Sequence, residues 1–121
     1  MAYVIDLPTF CDERGCLTVI EKVLPFEIKR VYYIYNASGI RGGHRHKKTW
    51  QALISISGMC EIYVNNGKEE NIFLLNRPDK CLVLKPEDWH NMFNFTENNI
   101  LLVLASEHYD PNDYIDEEHE W

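Results

Sequence analysis

From Cys60 to Leu75 the chain spells a β-hairpin. Cys60-Glu61-Ile62-Tyr63-Val64 runs into Asn65-Asn66-Gly67-Lys68, and Glu69 to Leu75 leads back. Asn-Gly is the pair a tight type I′ turn prefers, because both central residues need positive φ. The same rhythm fills the rest of the chain. Cys16 to Glu21, Lys29 to Tyr35, Trp50 to Ser57, Cys81 to Leu84, Trp89 to Phe95 and Ile100 to Ala105 are short apolar or aromatic runs. Between them lie turn sequences such as Asp12-Glu13-Arg14-Gly15, Asn76-Arg77-Pro78-Asp79 and Pro86-Glu87-Asp88. So many short strands with hardly any helix predict an all-β sandwich or jelly-roll barrel. One short C-terminal helix is expected. Asp110 can cap it, Pro111 suits its first position, and Asp113 favours its positive end.

With 121 residues the chain has room for one domain, spanning 1–121. Its 12 Lys and Arg face 19 Asp and Glu, a net charge of -7. An acidic surface repels phosphate backbones, which argues against nucleic-acid binding. No apolar run is long enough to span a membrane, and Met1 to Asp6 does not read as a secretion signal. The expected location is the cytoplasm. The four cysteines, at 11, 16, 60 and 81, form no Cys-x-x-Cys pair. They are expected as buried, reduced thiols rather than as a zinc site.

One segment carries chemistry: Gly39-Ile40-Arg41-Gly42-Gly43-His44-Arg45-His46, followed by Gln51 and Gly58. Residues two apart in a strand share a face, so His44 and His46 project together. Gln51 can join them if Lys47 to Trp50 hold one irregularity. The glycines allow the backbone to approach whatever binds there. Arg41 offers a fork that matches a pyrophosphate or a sugar oxygen.

This pattern resembles the first motif of the cupin family: Gly, His-x-His, an acidic residue, then Gly. Pro86, His90 and Asn94 resemble the second motif, with Asp88 where that motif has Gly. The resemblance implies a cupin (RmlC-like) jelly-roll barrel. Metal cupins use three histidines and one glutamate. Here Gln51 stands at the glutamate position. A neutral amide in place of the anionic ligand weakens the hold on a divalent cation. The preferred reading is therefore a site without metal, in which histidines move protons.

A closer resemblance runs from about Val4 to Ile115. Lys29-Arg30-Val31-Tyr32-Tyr33-Ile34, Arg41 to Lys48, and Leu101 to Asp110 with the closing Asp113-Tyr114-Ile115 are similar to the small TDP-4-keto-6-deoxyglucose 3,4-ketoisomerases. Arg45 and Thr49-Trp50 depart from that pattern. The resemblance implies a homodimer without cofactor. Its activity would move a keto group from carbon 4 to carbon 3 of a TDP-linked deoxysugar. The product would become a 3-amino sugar of a bacterial surface glycan. Such chemistry needs a base near neutral pKa and donors for an enediolate. His46 is assigned as the carbon base and His44 as its partner at the sugar oxygens. Arg30, Tyr32, Arg41, Gln51 and His90 would line the substrate site; Trp89 is one candidate to pack on the base, though Trp50 and Trp89 read first as packing or dimer-interface residues. Arg45, Lys47 and Lys48 read as a solvated loop, His119 as incidental, and Asp116 to Trp121 as a solvated acidic tail. The rival readings are a metal-binding cupin, a sugar-binding module without catalysis, and a deoxysugar epimerase. The last would need a His-Asp dyad, and no Asp stands near His44 or His46 in sequence.

Overall fold

Alternation within the strands sorts the apolar residues onto two surfaces. In the run Gln51–Ser57, Leu53 packs into one cluster while Ala52 and Ile54 pack into another. In Lys80–Leu84, Leu82 and Leu84 join the first cluster, and Cys81 and Val83 the second. Ile100–Ala105 divides in the same way. Strands covered on both faces read as continuous apolar runs, which is why these three are legible as buried.

The computed structural model describes residues 1–120. Its strands are β1 (Tyr3–Asp6), β2 (Thr9–Asp12), β3 (Gly15–Thr18), β4 (Arg30–Tyr35), β5 (Arg41–His46), β6 (Gln51–Ser57), β7 (Cys60–Asn65), β8 (Glu70–Leu75), β9 (Lys80–Leu84), β10 (Trp89–Phe93), β11 (Ile100–Ala105) and β12 (Tyr114–Ile115). Two antiparallel five-stranded sheets, ordered β1-β9-β6-β11-β4 and β12-β5-β10-β7-β8, face each other as a jelly-roll barrel. Leu53, Ile62, Val64, Leu75, Leu82, Leu84, Leu101 and Val103 fill the space between them. Ile20, Val23, Leu24 and Phe26 cover the outside of the first sheet against Ala52, Ile54, Val83 and Leu104.

β2 and β3 stand apart as a two-stranded ribbon. β1 and β2, four residues each, are not among the runs read from the sequence. The β7–β8 hairpin is present, but its turn differs from the expected one. Of Asn66 and Gly67 only Gly67 has positive φ, +89°. Asn66 instead folds a longer loop, its Oδ1 accepting from the amides of Lys68 and Glu69. The expected helix is a single 3₁₀ turn, Pro111–Asp113, capped by Asp110 through the Asn112 amide.

The cysteines divide into two kinds. Cys60 and Cys81 are buried and free, as expected. Cys11 and Cys16 are not buried thiols. They lie opposite each other on the exposed ribbon and are joined by a disulfide. Nothing in their spacing marks a pair until the turn at Asp12–Gly15 brings the two strands together.

Candidate active site

The site is built where β5 crosses β10. Gly42 and Gly43 both have φ of +83°, and the register between β10 and β5 shifts between His90 and Asn91. A Cβ on Gly42 would stand 3.2 Å from the His90 carbonyl oxygen and 3.3 Å from the Asn91 Cα. Gly42 therefore lets β5 approach β10; that close approach is to a neighbouring strand rather than to a ligand. Beyond the bulge, His44 and His46 lie side by side. Their ring centroids are 5.1 Å apart. His90 joins from β10, 5.1 Å from His44 and 6.3 Å from His46.

His46 is held most firmly. Its Nδ1 donates to Asp113 Oδ2 at 3.1 Å, and both side chains are only 3% exposed. Asp113 also accepts from the Lys48 amide through Oδ1, at 2.9 Å, and from the Thr49 hydroxyl through Oδ2. Burial alone would raise the Asp113 pKa; these donors outweigh it and hold the carboxyl below its ordinary range. An ionised Asp113 fixes the proton of His46 on Nδ1. Nε2 is then left with its lone pair, buried and without a hydrogen-bond partner among the described residues. Burial lowers the His46 pKa, although Asp113 pulls the other way.

The other two histidines are neutral for similar reasons. Burial pushes His44 down to about 4, and His46 beside it further disfavours a positive charge there. Burial pushes His90 down to about 3, and its Nδ1 donates to the Asp88 carbonyl at 3.0 Å. At neutral pH both rings are therefore uncharged.

Around this centre Gln51 donates from Nε2 to the Tyr32 hydroxyl at 3.1 Å. Burial raises the Tyr32 pKa, so it stays a phenol. The Arg30 guanidinium lies 4.6 Å over the Tyr32 ring and 5.2 Å from that of Tyr109. Arg41 is exposed at the head of β5 and acts on Tyr32 through its charge. Sequence reasoning names His44, His46, His90, Gln51, Tyr32, Arg30 and Arg41, and the fold gathers the first six around one interior end of the barrel. Among the described residues, no group of three or more His, Cys, Asp or Glu side chains is arranged to hold a metal ion.

Sequence reasoning misses two residues. It makes Asp113 a charge at a helix end, but the side chain turns inward to His46. Tyr114 pairs with His46 across β12 and β5, and its ring lies 4.8 Å from His44 and 4.7 Å from His46. Only the specificity of the Asp113-Tyr114-Ile115 run hints at either; the local sequence shows no partner 67 residues away.

Other expectations are corrected at the rim. Trp89 does not pack on the base. It lies 6.0 Å from Tyr63 on the outer face and donates to the Asp116 carbonyl. The closing segment is exposed at Asp116, Glu117, Glu118 and Glu120, as expected, but it is also pinned. Asn65 donates to Glu118 and to the His119 carbonyl, Arg45 donates to the Glu117 carbonyl, and His119 Nε2 donates to the Glu87 carbonyl at 2.7 Å. Arg45 and His119 are therefore structural contacts. The part of that expectation falling on Trp121 lies outside the described residues.

The family model described as WxcM-like, C-terminal (FdtA) matches residues 2–121. This chain belongs to the WxcM-like family. A TDP-4-oxo-6-deoxy-alpha-D-glucose-3,4-oxoisomerase of Aneurinibacillus thermoaerophilus is 40% identical to it over 116 residues, covering 93% of this chain and 84% of the relative. A 3,4-ketoisomerase from Helicobacter canadensis superposes with a TM-score of 0.91 at 41% identity, over 96% of this chain and 90% of that one. The 3,4-ketoisomerase QdtA from Thermoanaerobacterium thermosaccharolyticum, solved as a histidine-to-asparagine mutant in complex with TDP-4-keto-6-deoxyglucose, gives 0.91 at 44% identity, over 96% and 87%. In this WxcM-like chain, the histidine pair, Gln51 and Tyr32 lie at the same end of the barrel as the Asp113 turn.

Proposed function

We propose that the chain is a sugar 3,4-ketoisomerase, a single domain over 1–121 that acts on a TDP-linked 4-keto-6-deoxyhexose. The observation that carries this reading is the likeness to named 3,4-oxoisomerases; the His46–Asp113 dyad, which a deoxysugar epimerase would equally need, supplies the base. The names of relatives 40 to 44% identical support the substrate.

The reaction follows from these groups. His46 Nε2 takes the proton from carbon 3. The C–H electron pair forms the carbon 3–carbon 4 double bond, and the carbon 4 carbonyl becomes an enediolate oxygen. Donors at that oxygen stabilise the charge as it develops. We assign this role to His44, Tyr32 and Gln51. Transfer of the carbon 3 hydroxyl proton to the carbon 4 oxygen and return of a proton to carbon 4 complete the 3-ketone. As in the sugar isomerisation of triosephosphate isomerase, one group abstracts while another polarises the carbonyl. The substrate holds both the carbon to be oxidised and the carbon to be reduced, so no redox cofactor takes part. Arg30 and Arg41 supply positive charge for the diphosphate in an otherwise acidic protein. His90 completes the polar lining.

The active form is a homodimer in the cytoplasm, and its product is the substrate of an aminotransferase on the way to a surface glycan. Support for the homodimer comes from the outer face. Val31, Tyr33 and Tyr35 lie 56 to 62% exposed along β4, an edge strand. A stripe of this kind suits burial against a second copy. Phe10 and Leu17 form a further exposed apolar pair on the ribbon.

The test is proton NMR of TDP-4-keto-6-deoxyglucose with chelator-treated protein in deuterated water. A 3-keto species with deuterium at carbon 3 or carbon 4 is expected. An unchanged spectrum removes this activity.

A further inference from the structure

The β2–β3 ribbon stands apart from the barrel. Among the described residues it pairs with no third strand, and none of its eight strand residues is buried. Thr9, Phe10, Cys11 and Asp12 face Thr18, Leu17, Cys16 and Gly15. Directly opposed residues share one face of a ribbon and successive pairs alternate. The Phe10–Leu17 pair therefore lies on one face. Cys11–Cys16 lies on the other, together with Thr9–Thr18, whose hydroxyls are 3.0 Å apart. An isolated two-stranded hairpin is marginal in water, and here the ladder, that hydroxyl contact and the sulfur cross-link are what hold it.

The two ribbon cysteines are exposed, and the other two are not. Cys60 and Cys81 are buried within the apolar clusters, and burial pushes the Cys81 thiol up to about 12. Buried thiols of this kind are inert, whereas exposed disulfides are the labile and regulatory ones. The ribbon thus brings the chain's two accessible cysteine sulfurs together, and no step of ketone migration uses them.

We propose that Cys11 and Cys16 are a thiol–disulfide exchange site, served by a low-molecular-weight thiol/disulfide couple, whose redox state sets the order of the β2–β3 ribbon. In the reducing direction, a thiolate RS⁻ attacks one cysteine sulfur. The S–S bond breaks, a mixed disulfide forms, and the displaced cysteine sulfur takes a proton. A second RS⁻ attacks the R-bearing sulfur, releasing R–S–S–R and the second cysteine thiol. Two electrons pass from the couple to the protein, and the reverse sequence returns them. Closed, the bond fixes the register that sets Phe10 opposite Leu17. Open, that pair is held by the short ladder, the Thr9–Thr18 hydroxyl contact and the Arg14–Asp12 ion pair at the turn.

The experiment compares amide hydrogen exchange of Thr9 to Thr18 in three samples: protein equilibrated with glutathione disulfide, protein equilibrated with dithiothreitol, and the Cys11→Ser/Cys16→Ser double variant. The ribbon amides should exchange roughly tenfold to a hundredfold more slowly in the oxidised sample, as removal of a cross-link closing so short a loop implies. The double variant should match the reduced sample in either buffer. Thiol titration of native protein should find none when oxidised and two when reduced, with two more reacting only after denaturation. Equal ribbon exchange in the oxidised and reduced samples would overturn the proposal. So would a native count that stays at two after treatment with glutathione disulfide. Neither readout depends on isomerase activity.

Discussion

Asp113→Asn is the substitution that tests the site most directly. The two carboxylate oxygens have separate duties. Oδ1 accepts from the Lys48 amide, and Oδ2 accepts from His46 Nδ1 and the Thr49 hydroxyl. The amide proton of Lys48 requires an acceptor, so the carbonyl oxygen of the introduced side chain takes the Oδ1 position. Its NH2 group then faces His46. A donor opposite Nδ1 drives the imidazole proton to Nε2, and the base loses its lone pair. In the serine-protease triad, replacing the aspartate by asparagine likewise leaves the geometry intact with the wrong histidine tautomer, and costs about 10⁴ in kcat. A loss of about 10³ to 10⁴ is expected here, on the order of 4 to 5 kcal/mol of transition-state stabilisation. Thr49 can rotate its hydroxyl to accept from the new NH2, so the fold should persist. The assay is the rate of conversion of the 4-keto to the 3-keto sugar, followed by NMR, with circular dichroism confirming the fold. KM should change little, because Asp113 touches His46 rather than the nucleotide. A kcat within threefold of wild type, in folded protein, would refute the assignment of His46 as the anchored base.

Three further outcomes are expected. His44 and His90 have folded pKa values of about 4 and about 3, below the 6.5 of an unfolded imidazole. The unfolded chain therefore binds protons first, and stability is full above about pH 6.5 and falls as the pH drops toward 4 and 3. Between pH 7 and 5 the loss should be about 3 to 4 kcal/mol by urea unfolding; a flat curve would contradict the buried neutral histidines. Gly42→Ala sets a Cβ against the His90 carbonyl at a φ of +83°, so unfolding free energy should drop by roughly 2 kcal/mol and kcat should fall with it. Arg41→Ala should raise KM for the TDP-sugar roughly tenfold while leaving kcat within about threefold, and the wild-type KM should rise with salt.

The barrel is legible in the sequence because its strands obey period two within short runs, and both faces of β6, β9 and β11 are covered. His44 and His46 are legible for the same reason, since their spacing fixes their common face. His90 and Gln51 come through motif spacing. What the sequence hides is tertiary. Asp113 meets His46 only because β12 lies against β5, and a two-residue strand leaves no periodic trace. The His-Asp dyad that the local sequence lacks is present, supplied by a part of the chain far from the histidines. Trp89 misleads because a bulky aromatic beside His90 alternates to the outer face. The disulfide escapes notice because only the Cys16 strand of the ribbon is read from the sequence, so nothing sets Cys11 opposite it.

The short β12 pairing has a consequence for how heat acts on this protein. The same two residues that finish the sheet also carry Asp113 to His46, so a molecule in which that edge peels away keeps its barrel and its histidine but loses the carboxylate that anchors it. Edge segments of this length open at free energies well below that of the whole domain. Warming should therefore silence catalysis several degrees before the core melts, reversibly, and the gap between the two temperatures would report the grip of β5 on its last neighbour.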